Sequence, residues 1–164
     1  MTLANALTIG RIVLGLALLL SDAFSPVFFA LYALAGITDM FDGHVARRTG
    51  AESEFGAKLD SAADLTLVVV CLVKILPAIT VPAWLWLWVA AILLVKAANV
   101  ISGLMVEKRL VMPHTTANKV AGLVTFLVPF AIPLVGITVP ATIACAIATF
   151  AAIQEGRFIR MGKV

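Results

Sequence analysis

Four aspartates stand in two pairs within an otherwise oily sequence: Asp39 with Asp42, and Asp60 with Asp64. On helices, residues three and four apart diverge by only about 60° and 40° around the axis, so each pair falls on one face. Two facing helices would aim all four carboxylates at one point. Hard oxygen ligands of this kind suit magnesium or manganese, and two such ions about 3.5–4 Å apart can hold both the attacking and the leaving oxygen of a phosphoryl displacement. A charge at the centre of a membrane helix costs about 2.5–3.5 kcal/mol on insertion scales. Four acids in an apolar chain therefore need a compensating partner, and a pair of divalent cations supplies it.

The neighbours of the aspartates suit the same chemistry. Gly43 directly follows Asp42, where a missing side chain lets a diphosphate lie against the backbone. Arg47 sits near the end of the same helix, where a guanidinium can clamp a phosphate through two parallel hydrogen bonds. Gly56 precedes Asp60 and opens room at the start of the second helix. Written out, the pattern is D-x2-D-G-x2-A-R-x8-G-x3-D-x3-D, and it resembles the signature of the CDP-alcohol phosphotransferases, with all eight fixed positions present. The competing structural reading pairs the acids with Arg47, Arg48 and Lys58, but structural ion pairs rarely need so fixed a spacing.

The resemblance implies an integral membrane enzyme that moves the phosphatidyl group of a CDP-linked lipid, CDP-diacylglycerol, to a polar alcohol and releases CMP. It implies that Asp39, Asp42 and Asp60 hold two Mg2+ or Mn2+ ions, while Asp64 both touches a metal and takes the proton from the acceptor hydroxyl. Asn5, Thr8 and Arg11 recur at three-residue steps and form one inward stripe. That stripe resembles the opening of many family members, although Ala4 replaces their proline, and it implies a contribution to the nucleotide pocket. A snorkelling arginine above an interfacial cap is the alternative. By the same likeness Ser53 touches the donor's diphosphate, and the region of Asn118 and Lys119 helps to form the acceptor pocket. Glycerol 3-phosphate is the favoured acceptor, because Lys96, Arg109 and Lys119 could receive its phosphate. Serine and inositol phosphate stay open, since the run from Asp60 to Thr66 differs from the Pro-x-x-Asp-Lys segment of glycerophosphate-using relatives. Snorkelling, or pairing within a dimer, would also account for Lys96. Family members are commonly homodimers, so a second copy is an expected partner.

The elements that must position these residues follow from composition. At 62% hydrophobic and 13% charged, with a mean hydropathy of +1.10, the 164 residues describe a polytopic all-α membrane protein rather than a soluble domain. About 20 apolar residues make one crossing, so the length allows six transmembrane helices in a single domain, 1–164. The net charge of +3 does not point to nucleic acid, because the basic residues gather in short loops on one expected membrane face. Cys71 and Cys145 lie in apolar runs without ligand-like spacing and read as small buried or lipid-facing side chains.

The first helix is expected over 3–20; it lacks a basic start and a convincing cleavage site, which argues against a removed signal. Pro26 suits the first turn of a second helix running to Arg47, and a third is expected over 57–76. Trp84, Trp86 and Trp88 read as boundary anchors on the face opposite the site, at the head of a fourth helix ending near Met105. His114 has no metal-like spacing. The fifth helix begins near Asn118 and is expected to kink at Pro129 and Pro133, and the sixth covers 139–159. Six crossings put Arg47, Arg48, Lys58, Lys108, Arg109, Lys119, Arg157, Arg160 and Lys163 on one side, which the positive-inside rule makes cytoplasmic. The site would then face the cytoplasm across the cell membrane. Two rivals are an aspartate-rich prenyltransferase, whose aspartates are spaced differently, and a cation channel or transporter, in which Gly43, Arg47 and Gly56 have no clear part.

Overall fold

The computed structural model describes residues 3–49, 54–107 and 115–161, with side chains described outside 3–5, 40–49, 54–55, 57 and 106–107. Among the described residues every regular element is helical, and the helices fall into two compact units, Met1–Ile79 and Thr80–Val164.

The first unit holds α1 (Leu3–Ala17), α2 (Pro26–Thr49) and α3 (Glu54–Ile75). A 3-10 turn, Leu18–Leu20, extends α1. The start of α2 is set locally: Ser25 Oγ accepts the Phe28 amide at 3.1 Å, and Pro26 takes the first helical position, where no amide is needed. α1 packs against both α2 and α3. Its buried stripe is Thr8, Arg11, Gly15 and Leu18, spaced at three and four residues. The facing stripe of α2 is Phe28, Tyr32 and Ala35, with the two rings stacked 6.0 Å apart. One more step of four along that stripe is Asp39. On α3 the buried Ala63 lies between Asp60 and Asp64, with Val70 continuing the same face. Helices in lipid associate through close packing and polar contacts, so Gly15, Ala35 and Ala63 suit these seams.

The second unit holds α4 (Ala83–Glu107), α5 (Thr116–Val135) and α6 (Thr138–Arg160), and here α6 is the helix against which both others pack. Thr115 Oγ1 caps α5 by accepting the Asn118 amide at 3.1 Å. The helix runs through Pro129 and Pro133 and stops at Gly136, whose φ of 72° is open to glycine at little cost. α4 buries Leu85, Ile92 and Asn99 at seven-residue intervals, and Leu85 and Ile92 cluster with Cys145 of α6. Trp84 and Trp86 are exposed, as a boundary role asks. Trp88 instead turns inward and donates its indole N–H to Thr149 Oγ1 at 3.0 Å, so it ties α4 to α6.

Among the described residues three helices are long and apolar enough to cross a bilayer: Ala83–Met105, Thr116–Val135 and Thr138–Arg160. Shorter apolar helical stretches among the described residues are Ala6–Leu20 and Pro26–Asp39. α3 carries Lys58, Asp60, Asp64 and Lys74 within its length. On α3 charged residues thus interrupt the apolar run where the motif sits.

Candidate active site

The carboxylates of Asp39 on α2 and of Asp60 and Asp64 on α3 converge, with one potential ligand atom from each lying within 4.8 Å of the others. The helix stripes explain why. Asp39 lies on the face that α2 turns to α1, and Asp60 and Asp64 flank Ala63 on the face that α3 turns to α1. The expected gathering of the two acidic pairs is therefore present for these three residues. Asp42, Gly43 and Arg47 lie farther along α2, and their side-chain placement falls outside the described residues, as does that of Asn5. Ser53 and Arg109 lie outside the described residues altogether. Gly56 is half-buried in the first turn of α3, and Thr8 is buried one turn before Arg11 on α1.

At the centre of the three acids sits Arg11. Its Nη1 donates to Asp39 Oδ1 and, at 2.9 Å, to Asp64 Oδ1, while Nη2 donates to Asp60 Oδ1. The arginine side chain is fully buried, whereas the three carboxylates keep 50%, 48% and 58% of their surface open. An arginine that reached for the membrane boundary would show the reverse, so the snorkelling alternative for Arg11 is set aside. One guanidinium here meets three carboxylates, a formal balance of −2 for these four side chains taken by themselves. Hard oxygens that converge and stay half open fit a divalent cation.

Lys96 of α4 meets a different environment. Its Nζ lies 3.5 Å from Glu155 Oε2 on α6, and Asn118 Nδ2 of α5 donates to the same oxygen at 3.0 Å. Asn99 of α4 donates to the Ala152 carbonyl of α6 at 2.7 Å. A Cβ on Gly156 would come within 2.6 Å of Asn99 Oδ1, so the glycine is what lets α4 and α6 approach there. Glu155 is buried and joins all three helices of its unit, a role the sequence reading had not given it. Its signal was an acid inside an apolar span. Lys119, by contrast, is exposed in the first turns of α5.

The family model described as CDP-alcohol phosphatidyltransferase matches residues 1–154, and so takes in both units. The chain belongs to the CDP-alcohol phosphatidyltransferase family. It is 34% identical over 162 residues to a probable phosphatidylglycerophosphate synthase of Mycobacterium tuberculosis, covering 92% of this chain and 74% of that protein. To a CDP-diacylglycerol–glycerol-3-phosphate 3-phosphatidyltransferase of Rickettsia felis it is 31% identical over 137 residues, 80% of this chain and 73% of the relative. A CDP-diacylglycerol–serine O-phosphatidyltransferase of Methanocaldococcus jannaschii matches at 39% over only 64 residues, 39% of this chain and 29% of the relative. No solved structure matches the chain. As a member of the CDP-alcohol phosphatidyltransferases, the protein is an all-α integral membrane transferase of substituted phosphate groups, with a CDP-linked lipid donor and an alcohol acceptor. Membership sets aside the prenyltransferase and channel readings.

Proposed function

We propose that the protein transfers the phosphatidyl group of CDP-diacylglycerol to glycerol 3-phosphate, releasing CMP. The observation that carries the chemistry is the convergence of the half-open carboxylates of Asp39, Asp60 and Asp64. What favours this acceptor is that the two matches running along about three-quarters of a relative, 74% and 73%, are to proteins named for the glycerophosphate product or substrate, while the serine-using relative, like some others that use glycerol 3-phosphate, matches over about 30%.

In this reading Asp39, Asp42, Asp60 and Asp64 hold two Mg2+ or Mn2+ ions. Such ions, when bound, offset the charge that develops on the diphosphate in the transition state. Asn5, Thr8, Gly43, Arg47, Ser53 and Gly56 form the donor pocket, with the missing side chains giving the diphosphate access to the backbone and the Arg47 fork orienting it. Asp64 takes the proton of the acceptor hydroxyl, because a hydroxyl is a poor nucleophile until a nearby base removes its proton. The oxygen so activated forms a bond to the lipid-side phosphorus, and the bond from that phosphorus to CMP breaks. Lys119 and Arg109 attract the acceptor's phosphate; Lys96 would join them only by giving up part of its contact with Glu155.

Six crossings, one catalytic domain over 1–164, a homodimeric assembly and a cytoplasm-facing site in the cell membrane complete the proposal. The charge pattern of the loops supports the orientation. Purified protein supplied with radiolabelled CDP-diacylglycerol and glycerol 3-phosphate should release CMP and form phosphatidylglycerophosphate, should stop when divalent ions are chelated, and should restart with Mg2+ or Mn2+. Faster turnover with serine or inositol phosphate would move the acceptor assignment, and metal-independent transfer would remove the metal ligands.

A further inference from the structure

We infer that Arg11 is an exchangeable counter-ion of the carboxylate cluster: its guanidinium and a divalent cation compete for Asp39, Asp60 and Asp64, so that Arg11 sets how tightly the metal is held. The inference rests on the reading of these acids as metal ligands.

Three features of the first unit lead to it. Arg11 contacts all three of the carboxylates whose oxygens converge, and those three come from two different helices. All three carboxylates are about half open, so a second cation can reach the oxygens that Arg11 holds. Arg11 is also placed by the backbone: it shares the buried stripe of α1 with Thr8, Gly15 and Leu18 and sits under the acids with none of its surface exposed. A cation that these carboxylates bind therefore meets a fixed positive charge bonded to the same groups, and the two repel.

Two consequences follow. The guanidinium keeps three like charges together on its own, since its fork of donors can serve several oxygens at once. It also lowers the affinity of the cluster for a dication, because each carboxylate oxygen that points to Arg11 is shared or withdrawn. Arg11 is a positioning residue in this scheme, acting on the substrate through the acids it holds. A neutral side chain in its place should leave the acids repelling one another until a dication binds.

The test compares the full-length wild-type protein with Arg11→Gln and Arg11→Met in detergent, with free Mn2+ read by electron paramagnetic resonance and melting followed in chelator and in saturating Mg2+. The neutral variants should bind Mn2+ about tenfold more tightly than wild type, in keeping with the loss of one competing charge. They should melt about 5 °C lower than wild type in chelator. At least half of that deficit should disappear in saturating Mg2+. Variants that fold only when metal is present support the exchange. Variants that fail to fold in saturating metal as well overturn it, because the dication then does not take over the arginine's place. Wild-type Mn2+ binding together with unchanged or weaker binding in both variants overturns the exchange alone. Absence of Mn2+ binding in wild type overturns the metal reading along with it.

Discussion

Each half of the molecule joins three helices through one buried charge, but with opposite sign and opposite balance. In the first unit the central charge is Arg11 on α1, and it faces three carboxylates from α2 and α3. In the second unit it is Glu155 on α6, and it faces one ammonium from α4 and one amide from α5. The second arrangement is close to neutral, and Glu155 itself is buried. The first sets three carboxylates, each about half open, against one guanidinium among the described side chains. A charge buried among helices in lipid must be matched or it is costly. A matched group holds helices together, while an unmatched one keeps capacity for a ligand. The imbalance, rather than the presence of charge, is what separates the site from its scaffold.

Substitutions should divide along the same line. Asp64→Asn should lower turnover by about 10²–10⁴-fold, the usual contribution of a general base, with little change in melting or in CDP binding. Full activity in that variant, measured as CMP release, would transfer the base role elsewhere. Arg47→Lys keeps the charge and loses the fork, so kcat/KM for the donor should fall about tenfold, or about 1.4 kcal/mol. An unchanged donor titration would remove the clamp. In the second unit Glu155→Gln should do the reverse. It retains an acceptor for the Asn118 amide but leaves Lys96 without its counter-charge, so the protein should melt about 2–4 °C lower while the folded fraction keeps its kcat. A loss of kcat without a loss of stability would place Glu155 in the chemistry and dissolve the contrast.

Much of this arrangement is legible in the residues. The helix positions follow from apolar runs and from Ser25-Pro26 at the head of the second, while the Thr115 cap of α5 went unread, its start being expected near Asn118; the two acidic pairs announce a shared face by spacing alone. The inward stripe of the first helix is also readable, and Thr8 and Arg11 are buried on it as expected. What spacing does not reveal is the partner of a charge. Arg11 lies 28 and 53 residues from Asp39 and Asp64, and their meeting depends on α1 packing against both α2 and α3. Arg47, Arg48 and Lys58 are nearer in sequence and drew attention for that reason. Glu155 was hidden for a related cause: at the end of an apolar run it reads as a helix terminus, and only the approach of α4 and α5 shows that it is enclosed. Trp88 differs from Trp84 and Trp86 because one residue of three on a helix turns toward its neighbour, which composition does not distinguish.

The most direct measurement is Mn2+ binding to purified wild-type protein and to Asp60→Asn, each without substrate. Saturable binding in wild type that weakens at least about tenfold when this one carboxylate becomes an amide is the predicted result, since affinity for hard cations follows the charge of the ligand set. Equal binding by the two proteins would contradict the assignment of the converging aspartates as the metal site.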